Sequence, residues 1–421
     1  MKRKNRNNGE TNTMVVTIVP KKLKGEVSVP PSKSVAHRLV IAAALSKGTS
    51  KVENLSFSKD ITATVNAMRS LGAQIDISGN TAIIKGIENP PEKAVIDCCE
   101  SGSTLRFLIP VVCALGVQAT FLGQGKLPQR PITPYLDELP KHGAQFDYQG
   151  TMPFTVRGRL TSGEYRISGD ISSQFVTGLL LALALIDGRS ELVLTTPLQS
   201  KPYVDITADC LAKCGVSVTQ TDKGYAVTGG SMKAFQAPVE ADYSQAAFFY
   251  VANSLGSDIR INELNENSCQ GDKKIVEICD KIVYNKNGGL KPFELDCSDI
   301  PDLVPILAVL ASFCEGTSRI FNVARLRIKE SDRLEAVSVC LNALGGKVTA
   351  GEDFLEIQGV KSLHAGQVDC FNDHRIAMAM AVAATRSTGP VTLIGAQCVE
   401  KSYPDFFEVY KALGGDITVE N

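Results

Sequence analysis

Residues 102–115 read GSTLRFLIPVVCAL, a short polar opening followed by an apolar run. The same template recurs in five further stretches that open near residues 34, 173, 244, 301 and 374: PSKSVAHRLVIAAAL, SSQFVTGLLLALAL, YSQAAFFYVANSL, IPDLVPILAVLASF and DHRIAMAMAVAA. A spacing of about 55 to 75 residues is typical of an internally repeated fold. Because these helices are apolar almost all round, we expect all six to be buried.

Each apolar helix leads into an alternating, β-branched segment, such as residues 191–195 or 318–323, and then into a second helix with charged positions. The second helices stop at glycines in LGAQI, HGAQF, CGVSV, LGGKV and LGGDI, where glycine is the expected C-terminal cap. The fourth repeat matches least well. The pattern predicts an α/β fold built of α+β repeats, with six βαβαββ units, three per lobe, buried helices and sheets outside them.

The domain boundary is predicted where the repeat pattern thins out, at the glycine, serine and proline residues of 229–238. We interpret residues 14–29 as a strand that crosses to the second lobe. The predicted domains are an N-terminal lobe of residues 30–237 and a C-terminal lobe of residues 14–29 plus 238–421. Residues 1–13 are polar and basic, and we interpret them as a loose tail.

The composition excludes several classes of protein. The 421 residues include 44 lysines and arginines against 45 aspartates and glutamates, so no global positive charge would hold the chain to nucleic acid. The longest apolar run, residues 175–186, is too short to span a membrane. Twelve cysteines without a CxxC pair and four dispersed histidines favour reduced, buried thiols in a cytoplasmic protein over a metal site.

The helix openings carry residues suited to anions, because helix N-termini present unpaired backbone amides and the positive end of a dipole. Serines at these openings, such as Ser172, Ser173 and Ser200, are also explained by plain helix capping. A cation in the first turn opposes the dipole. Helix stability therefore does not explain Lys33, which makes it a stronger ligand candidate than its serine neighbours.

The second half of the chain concentrates cations around carboxylates. The stretch RLRIKESDR, residues 325–333, carries three arginines and one lysine with Glu330 among them. A solvated helix face with ion pairs three residues apart, such as Glu330 with Arg333 or Lys329 with Asp332, is the alternative interpretation.

Four more residues add to this set. Arg375 stands in the first turn of a helix, and Asp302 stands beside another helix start, where capping is the alternative. Arg130 precedes a proline and is expected on an extended loop, whereas Lys401 in KSYPDFFE is also explained as a surface lysine. Many cations facing a few carboxylates suit a small substrate with several phosphates or carboxylates. The sequence contains no P-loop, GxGxxG, nucleophile elbow or metal motif, so we expect no cofactor.

Nine motifs occur in one order along the chain: PSKSVAHR, ESGSTLR, QRPI, GDISSQF, SKPYVDIT, IPDLVP, KESDR, NDHRIAM and KSYPDFF. In these motifs the sequence closely resembles the enolpyruvyl transferases, on the branch that acts on shikimate 3-phosphate. The resemblance extends over residues 22–408. It implies two lobes of three repeats each, an inside-out α/β barrel that closes on substrate, and a cytoplasmic monomer without cofactor, metal, nucleic-acid or membrane partner.

The resemblance also implies an activity. The enolpyruvyl (carboxyvinyl) group of phosphoenolpyruvate would pass to the 5-hydroxyl of shikimate 3-phosphate by addition and elimination through a tetrahedral intermediate. This step belongs to chorismate and aromatic amino acid biosynthesis, and the family is the target of the herbicide glyphosate.

The resemblance implies three sets of site residues. Asp302 would accept the proton of the 5-hydroxyl, Glu330 would protonate the phosphoenolpyruvate methylene, and Lys33 would contact both substrates. The implied ligands of shikimate 3-phosphate are Lys33, Ser34, Arg38, Ser172, Ser173, Gln174, Ser200, Asp302 and Lys329. The implied ligands of phosphoenolpyruvate are Lys33, Gly102, Arg130, Gln174, Arg333, Arg375 and Lys401.

The sequence departs from the family pattern beside Gly102, in the motif whose neighbourhood governs glyphosate sensitivity. Glu100 and Ser103 stand where the family has asparagine and threonine. An extra carboxylate beside an anion site is unfavourable unless Arg106 or a lysine pairs with it. Arg325 stands where some members carry asparagine, so it is left out of the ligand set.

Three other functions compete with this one. The sister family acts on UDP-N-acetylglucosamine, carries Lys-Asn in place of Lys33-Ser34, and usually has a reactive cysteine in the loop that here reads GQGKLPQRP. A catalytically silent anion-binding protein on the same fold would not need the catalytic residues of the family. This sequence has the family's residue at every matched catalytic position, which argues against that function. An RNA-end-processing enzyme would require a nucleophilic histidine, and we interpret the one candidate, His374, as a wall residue of the site.

Overall fold

The computed structural model describes residues 13–230, 232–282 and 289–420. The predicted tail therefore lies outside the described residues, except for its last residue. The α-helices are α1 (Lys33–Leu45), α2 (Lys59–Ser70), α3 (Gly102–Leu115), α4 (Thr133–Glu138), α5 (Ser173–Leu183), α6 (Lys201–Lys213), α7 (Tyr243–Ser254), α8 (Lys274–Glu277), α9 (Val304–Ala311), α10 (Arg333–Ala343), α11 (His374–Ala384) and α12 (Phe406–Ala412).

Short 3-10 helices occupy Leu127–Gln129, Leu139–His142, Gly271–Lys273, Pro301–Leu303, Ala324–Ile328 and Ala396–Lys401, and a π-helix occupies Ile278–Ile282. The strands of the first half are β1 (Val15–Val19), β2 (Lys24–Ser28), β3 (Thr49–Glu53), β4 (Gln74–Ser78), β5 (Thr81–Lys85), β6 (Lys93–Asp97), β7 (Gln118–Leu122), β8 (Ala144–Asp147), β9 (Phe154–Gly158), β10 (Glu164–Ile167), β11 (Gly188–Leu194), β12 (Val218–Thr221) and β13 (Gly224–Gly229). Those that follow are β14 (Gln236–Pro238), β15 (Asp258–Asn262), β16 (Glu294–Asp296), β17 (Thr317–Phe321), β18 (Lys347–Ala350), β19 (Phe354–Gln358), β20 (Gly366–Asp369), β21 (Val391–Ile394) and β22 (Asp416–Glu420).

The odd-numbered helices are the six apolar segments of the sequence, and their burial confirms the prediction. Every residue of α11 is buried, and α3 is buried from Gly102 to Ala114 except at Ser103. The even-numbered helices keep an exposed face, as α2 does at Lys59 and Arg69. A helix that is apolar all round has to be covered on all sides, whereas an amphipathic one needs only one neighbour.

The sheets repeat one pairing order. In the sheet β6-β7-β9-β8, β6 runs parallel to β7, and β9 is antiparallel to both β7 and β8. The sheets β10-β11-β13-β12 and β16-β17-β19-β18 have the same order. The fourth unit, which matches the sequence pattern least, has only the two-stranded sheet β15-β2 among the described residues. The βαβαββ unit is thus confirmed, as a set of separate sheets on buried helices.

The chain crosses between its halves at two places. Strand β1 pairs with β21 and β22, and β2 runs parallel to β15, so the N-terminal segment completes sheets of the second half. Strand β14 runs parallel to β3 and completes the first sheet. The expectation of one strand over residues 14–29 is wrong in detail, because β1 and β2 are separate and Pro20, which has no N–H donor, follows β1.

Two clusters of buried side chains form, one from Val35 to Val239 and the other from Val16 to Val29 together with Tyr243 to Leu413. We infer from them the predicted division into lobes of residues 30–237 and of residues 14–29 plus 238–421. The two connecting segments hydrogen-bond to each other, Ser32 N to Glu240 O at 2.7 Å and Asp242 N to Pro30 O at 3.0 Å.

Glycine caps end the second helices as predicted. Gly72 follows α2 with φ +105°, and Gly345 follows α10 with φ +83°, a region in which residues with a Cβ are strained. In the described part of the chain, no helix combines the length and the apolar character needed to cross a membrane.

Candidate active site

A cavity that is partly open to solvent lies where the two lobes meet. The N-terminal ends of α1, α3 and α5 line it from one lobe, and residues at the starts of α10 and α11 line it from the other. Eight cationic side chains face four carboxylates there: Lys33, Arg38, Arg106, Arg130, Arg325, Lys329, Arg333 and Arg375 against Asp60, Asp242, Asp302 and Glu330. In a chain of net charge −1, this local excess of positive charge indicates an anion site.

Arg333 lies at the centre of the charged network. Its side chain is 2% exposed, and its Nε atom lies 2.8 Å from Oδ2 of Asp373, which is fully buried. Nη1 donates to Asp302 Oδ1 at 2.9 Å, and Nη2 donates to Glu330 Oε2 at 2.6 Å. One guanidinium therefore orients both carboxylates to which the family resemblance assigns proton transfer.

Asp302 does not cap a helix, so the capping interpretation is wrong for this residue. Its Oδ2 atom accepts hydrogen bonds from Arg375 Nη2 at 2.8 Å and from the Tyr203 hydroxyl at 3.0 Å. Burial raises the pKa of Asp302, but the positive charges of Arg375, Lys329 and Arg333 outweigh it and hold that pKa far below its usual range. The group is ionised before any substrate arrives.

Glu330 confirms one ion pair of the alternative interpretation, but in a cavity wall and not on a solvated helix face. Glu330 contacts a second arginine in addition to Arg333, because its Oε1 atom lies 3.7 Å from Nη2 of Arg130 in the other lobe. Burial raises the pKa of Glu330, yet the neighbouring guanidiniums of Arg333 and Arg130 hold it well below its usual range. The suggested pair of Lys329 with Asp332 is not found, because Asp332 binds Arg327 at 2.7 Å.

Lys329 lines the same cavity. Burial lowers the pKa of its ammonium from 10.5 to about 8, although the nearby Asp302 carboxylate opposes the shift. The Lys329 side chain therefore loses its proton more readily at alkaline pH than an ordinary lysine does. An anionic ligand beside it would stabilise the charged form.

Lys33 occupies the first turn of α1, where no acidic residue offsets the helix dipole. Its Nζ atom lies 2.9 Å from Asp60 Oδ2, and its backbone N–H donates to Asp242 Oδ2 of the other lobe at 3.2 Å. Ser32, which precedes it, makes no side-chain capping bond. The ammonium thus lies at the mouth of a helix N-terminus, beside Ser34, which also lines the cavity.

Arg38 is a buried cation whose hydrogen-bond partners among the described residues are all neutral. Its side chain donates to Thr207 Oγ1 at 2.7 Å, Thr177 Oγ1 at 3.1 Å, and the carbonyls of Ser34 and Tyr203 at 2.7 and 3.0 Å. Burial lowers the pKa of its guanidinium to about 10. A charge buried without a counter-ion is unfavourable, so this position favours binding of an anion.

Gly102 and Arg130 fit against each other. A Cβ atom on Gly102 would lie 2.8 Å from Arg130 Nη1, so any larger residue would displace the guanidinium. Arg130 has extended backbone angles, φ −76° and ψ 136°, which confirms the predicted loop. Gln174 accepts a hydrogen bond from Arg106 Nη1 at 2.8 Å and donates to Ser103 Oγ at 3.0 Å.

The serines of the helix openings divide into two kinds. Ser172 caps α5 by accepting from Gln174 N at 3.3 Å, so capping explains part of its presence. Ser200 has a left-handed backbone, φ +58°, and makes no capping bond, although it lines the cavity together with Ser173. Capping does not explain Ser200.

Lys401 is the one predicted site residue that does not line this cavity among the described residues. It lines a neighbouring cavity that also contains Asp60. Its Nζ atom lies 2.8 Å from Glu100 Oε2, in the lobe opposite its own. The unusual carboxylate of the sequence is therefore paired by a lysine, and Arg106 binds Gln174 instead.

The comparisons with known proteins agree with this geometry. Residues 18–410 match the sequence profile of the family described as EPSP synthase (3-phosphoshikimate 1-carboxyvinyltransferase). The chain belongs to the EPSP synthase family. Relatives named 3-phosphoshikimate 1-carboxyvinyltransferase include that of Clostridium kluyveri, 45% identical over 96% of this chain and 98% of its own length, and one from Clostridium botulinum, 43% identical over 95% and 97%.

Solved structures show the same fold. The EPSP synthase of Acinetobacter baumannii superposes with a TM-score of 0.81 over 97% of this chain and all of its own, at 26% identity. The enolpyruvyl transferase NikO of Streptomyces tendae superposes with a TM-score of 0.77 over 97% of this chain and 99% of its own, at 19% identity. The predicted enolpyruvyl transferase fold is confirmed.

In this member of the EPSP synthase family, the structure adds wall residues that the sequence left out. Asp60, Asp242 and Gln245 line the cavity, as does Arg325, which had been set aside. The only sequence signal for Asp60 is its place in the first turn of α2, and Asp242 looks like an ordinary cap because it does cap α7. His374 also lines the cavity. Neither of its ring nitrogens has a hydrogen-bond partner in the part of the chain that the structure describes, and burial together with the nearby Lys33 ammonium keeps its pKa well below 6.5.

No group of three or more histidine, cysteine, aspartate or glutamate side chains in the described ranges could hold a metal ion. All twelve cysteines of this EPSP synthase family member fall within those ranges, and each is a free thiol.

Proposed function

We propose that this protein transfers the enolpyruvyl group of phosphoenolpyruvate to the 5-hydroxyl of shikimate 3-phosphate and releases phosphate. Membership of the EPSP synthase family supports the reaction, and the names of its clostridial relatives support the substrate. The single observation that carries the proposal at the site is the cluster in which Arg333 joins Asp302 and Glu330 inside a cavity rich in cations.

The cations would bind the phosphates and the carboxylates of the two substrates. Shikimate 3-phosphate would be held by Arg38, which has no carboxylate partner among the described residues, and by Lys329, Ser34, Ser172, Ser173, Ser200 and Gln174. Gly102, Arg130, Arg333, Arg375 and Lys401 would hold phosphoenolpyruvate, and Lys33 and Gln174 would contact both. Preorganised charges stabilise the charge that develops during reaction without reorganisation at that moment, and closure of the lobes over the substrates would exclude water.

Asp302 would take the proton of the 5-hydroxyl while the hydroxyl oxygen attacks C2 of phosphoenolpyruvate. The carboxylate is ionised at neutral pH and can therefore accept a proton, and an anionic substrate would offset the nearby cations that lower its pKa and weaken it as a base. Hydrogen bonds from Tyr203 and Arg375 hold its Oδ2 atom in place, so the carboxylate is oriented before substrate binds.

Glu330 would give a proton to the methylene carbon, which becomes a methyl group in the tetrahedral intermediate. Loss of phosphate, together with return of that proton from the methyl group, would then form the new vinyl group. Glu330 is ionised in the free protein and therefore has to gain a proton first. Anionic substrate at Arg333 and Arg130 would offset the charges that keep its pKa low.

We further propose that the enzyme acts as a monomer in the cytoplasm. Lobes that open and close around a substrate need freedom of relative motion. Unpaired thiols at all twelve cysteines fit a reducing compartment.

The test is phosphate release by the purified protein with phosphoenolpyruvate and shikimate 3-phosphate, beside a reaction that contains UDP-N-acetylglucosamine instead. We expect release only with shikimate 3-phosphate, and loss of about 10²–10⁴-fold in kcat for Asp302→Asn. Asp299→Asn is the matched control, since Asp299 is an exposed acid three residues away. Release only with UDP-N-acetylglucosamine would assign the chain to the sister activity, and silence with both would favour an anion-binding protein.

A further inference from the structure

Glu100 and Lys401 form an ion pair between the lobes, beside the cavity of the proposed reaction. Lys401 Nζ lies 2.8 Å from Glu100 Oε2 and 2.8 Å from the carbonyl oxygen of Asn372. The Asn372 side-chain amide donates to the same Glu100 oxygen at 3.2 Å. The pair connects the start of α3 with the end of the 3-10 helix Ala396–Lys401, 301 positions apart.

The burial of the two partners is unequal. The side chain of Lys401 is 9% exposed and that of Glu100 is 34% exposed. Glu100 is the only carboxylate that pairs with Lys401 among the described residues. A nearly buried ammonium needs a counter-ion, so Glu100 neutralises a charge that would otherwise attract any available anion.

The surroundings of Glu100 leave space into which its side chain can move. The loop that leads to Arg130 covers it on one side, because a Cβ atom on Gly125 would lie 2.7 Å from Glu100 Oε2. On the other side lies the second cavity, which Glu100 and Lys401 both line and which meets the first at Asp60. A displaced Glu100 side chain would have room in that cavity.

We propose that Glu100 determines the affinity of the site for phosphoenolpyruvate by competing with it for Lys401. In the substrate-free protein the Glu100 carboxylate forms an ion pair with the Lys401 ammonium. The anionic substrate has to displace this carboxylate before Lys401 can become a ligand. The inference rests on the proposed function. An uncharged residue at position 100, such as the asparagine of the family pattern, leaves the ammonium free.

The experiment compares Glu100→Gln, Lys401→Met and the double variant by steady-state phosphate release. Glu100→Gln keeps the size of the side chain and removes its charge. It is expected to lower KM for phosphoenolpyruvate about fivefold, the upper range for one partly exposed ion pair, and to change KM for shikimate 3-phosphate by less than about twofold. The fall is expected to vanish in the Lys401→Met background, because no ammonium remains to be freed.

The matched control is Glu400→Gln. Glu400 forms another ion pair between the lobes, with Lys59 at 2.5 Å, and the substitution changes the net charge equally while it leaves the ion pair of the neighbouring Lys401 with Glu100 in place. An equal fall of KM in Glu400→Gln or in the Lys401→Met background would overturn the proposal, as would an unchanged or raised KM in Glu100→Gln. Lys401→Gln replaces Lys401→Met if the latter does not fold. Turnover by the wild type is read separately, and its absence would overturn the proposed function as well.

Discussion

The Nη2 atom of Arg333 lies 2.6 Å from Oε2 of Glu330, on a guanidinium that is almost wholly buried. The same group binds Asp373, which is buried, and Asp302, which faces the cavity. A buried carboxylate and the two carboxylates proposed to transfer protons therefore share one cation. Removal of this cation is expected to affect both the stability and the chemistry of the protein.

The first prediction concerns stability. Arg333→Met leaves Asp373 as a buried charge without its guanidinium, and we expect the free energy of unfolding to fall by about 3–5 kcal/mol. Urea denaturation of both proteins measures this change. Arg327→Met is the control, because its ion pair with Asp332 is about one-third exposed and should contribute no more than about 1 kcal/mol. Equal losses for the two variants would contradict the role of burial.

The second prediction concerns proton donation. Glu330→Gln retains the size of the side chain and an oxygen for Arg333, so the protein should fold normally while kcat falls about 10²–10⁴-fold. Steady-state phosphate release measures kcat. Glu335→Gln, an exposed glutamate on α10, should retain wild-type activity. A kcat for Glu330→Gln within a few-fold of wild type would exclude Glu330 as the proton donor.

The third prediction concerns pH. Since the pKa of Lys329 is lowered to about 8, its ammonium is present below that pH and is lost as the pH rises through it. The ratio kcat/KM for shikimate 3-phosphate should therefore fall above about pH 8, because this ratio reports ionisation of the free enzyme. In Lys329→Arg, whose guanidinium remains charged, this fall should be absent. An unchanged inflection in that variant would assign it to another group.

The fourth prediction concerns proton uptake. Arg333 and Arg130 keep the pKa of Glu330 low in the free protein, and an anionic substrate bound to them should raise that pKa. Binding of phosphoenolpyruvate near neutral pH should then take up a proton at Glu330. Calorimetry in two buffers of different ionisation enthalpy measures the uptake, and Glu330→Gln should take up fewer protons than wild type. Equal uptake by the two proteins would be the contrary result.

Part of the fold can be predicted from the sequence, because repeated local patterns specify local structure. The apolar openings predict α3 and α11, and the glycine after α2 predicts a cap that the left-handed Gly72 provides. The pairing partners of short strands cannot be predicted from the sequence. Strand β14, for example, pairs with β3, although most of the residues of the N-terminal lobe lie between them along the chain. Hydrogen bonds between distant strands leave no periodic signal in either segment.

The candidate site divides in the same way. Lys33 and Arg375 are visible in the sequence, because a cation in the first turn of a helix opposes the dipole and needs another reason to be there. Asp60 and Asp242 are not visible, since a carboxylate at a helix start looks like an ordinary first-turn or capping residue until a cation is found beside it.

The sequence by itself determined the repeated units, the buried helices and the family, because these depend on residue types at fixed short spacings. Only the tertiary structure decided which charges meet. Arg333 faces Asp302, and Lys401 pairs with Glu100 instead of lining the main cavity. The partners in these two pairs stand 31 and 301 positions apart along the chain, and only folding brings such distant side chains within a few ångströms.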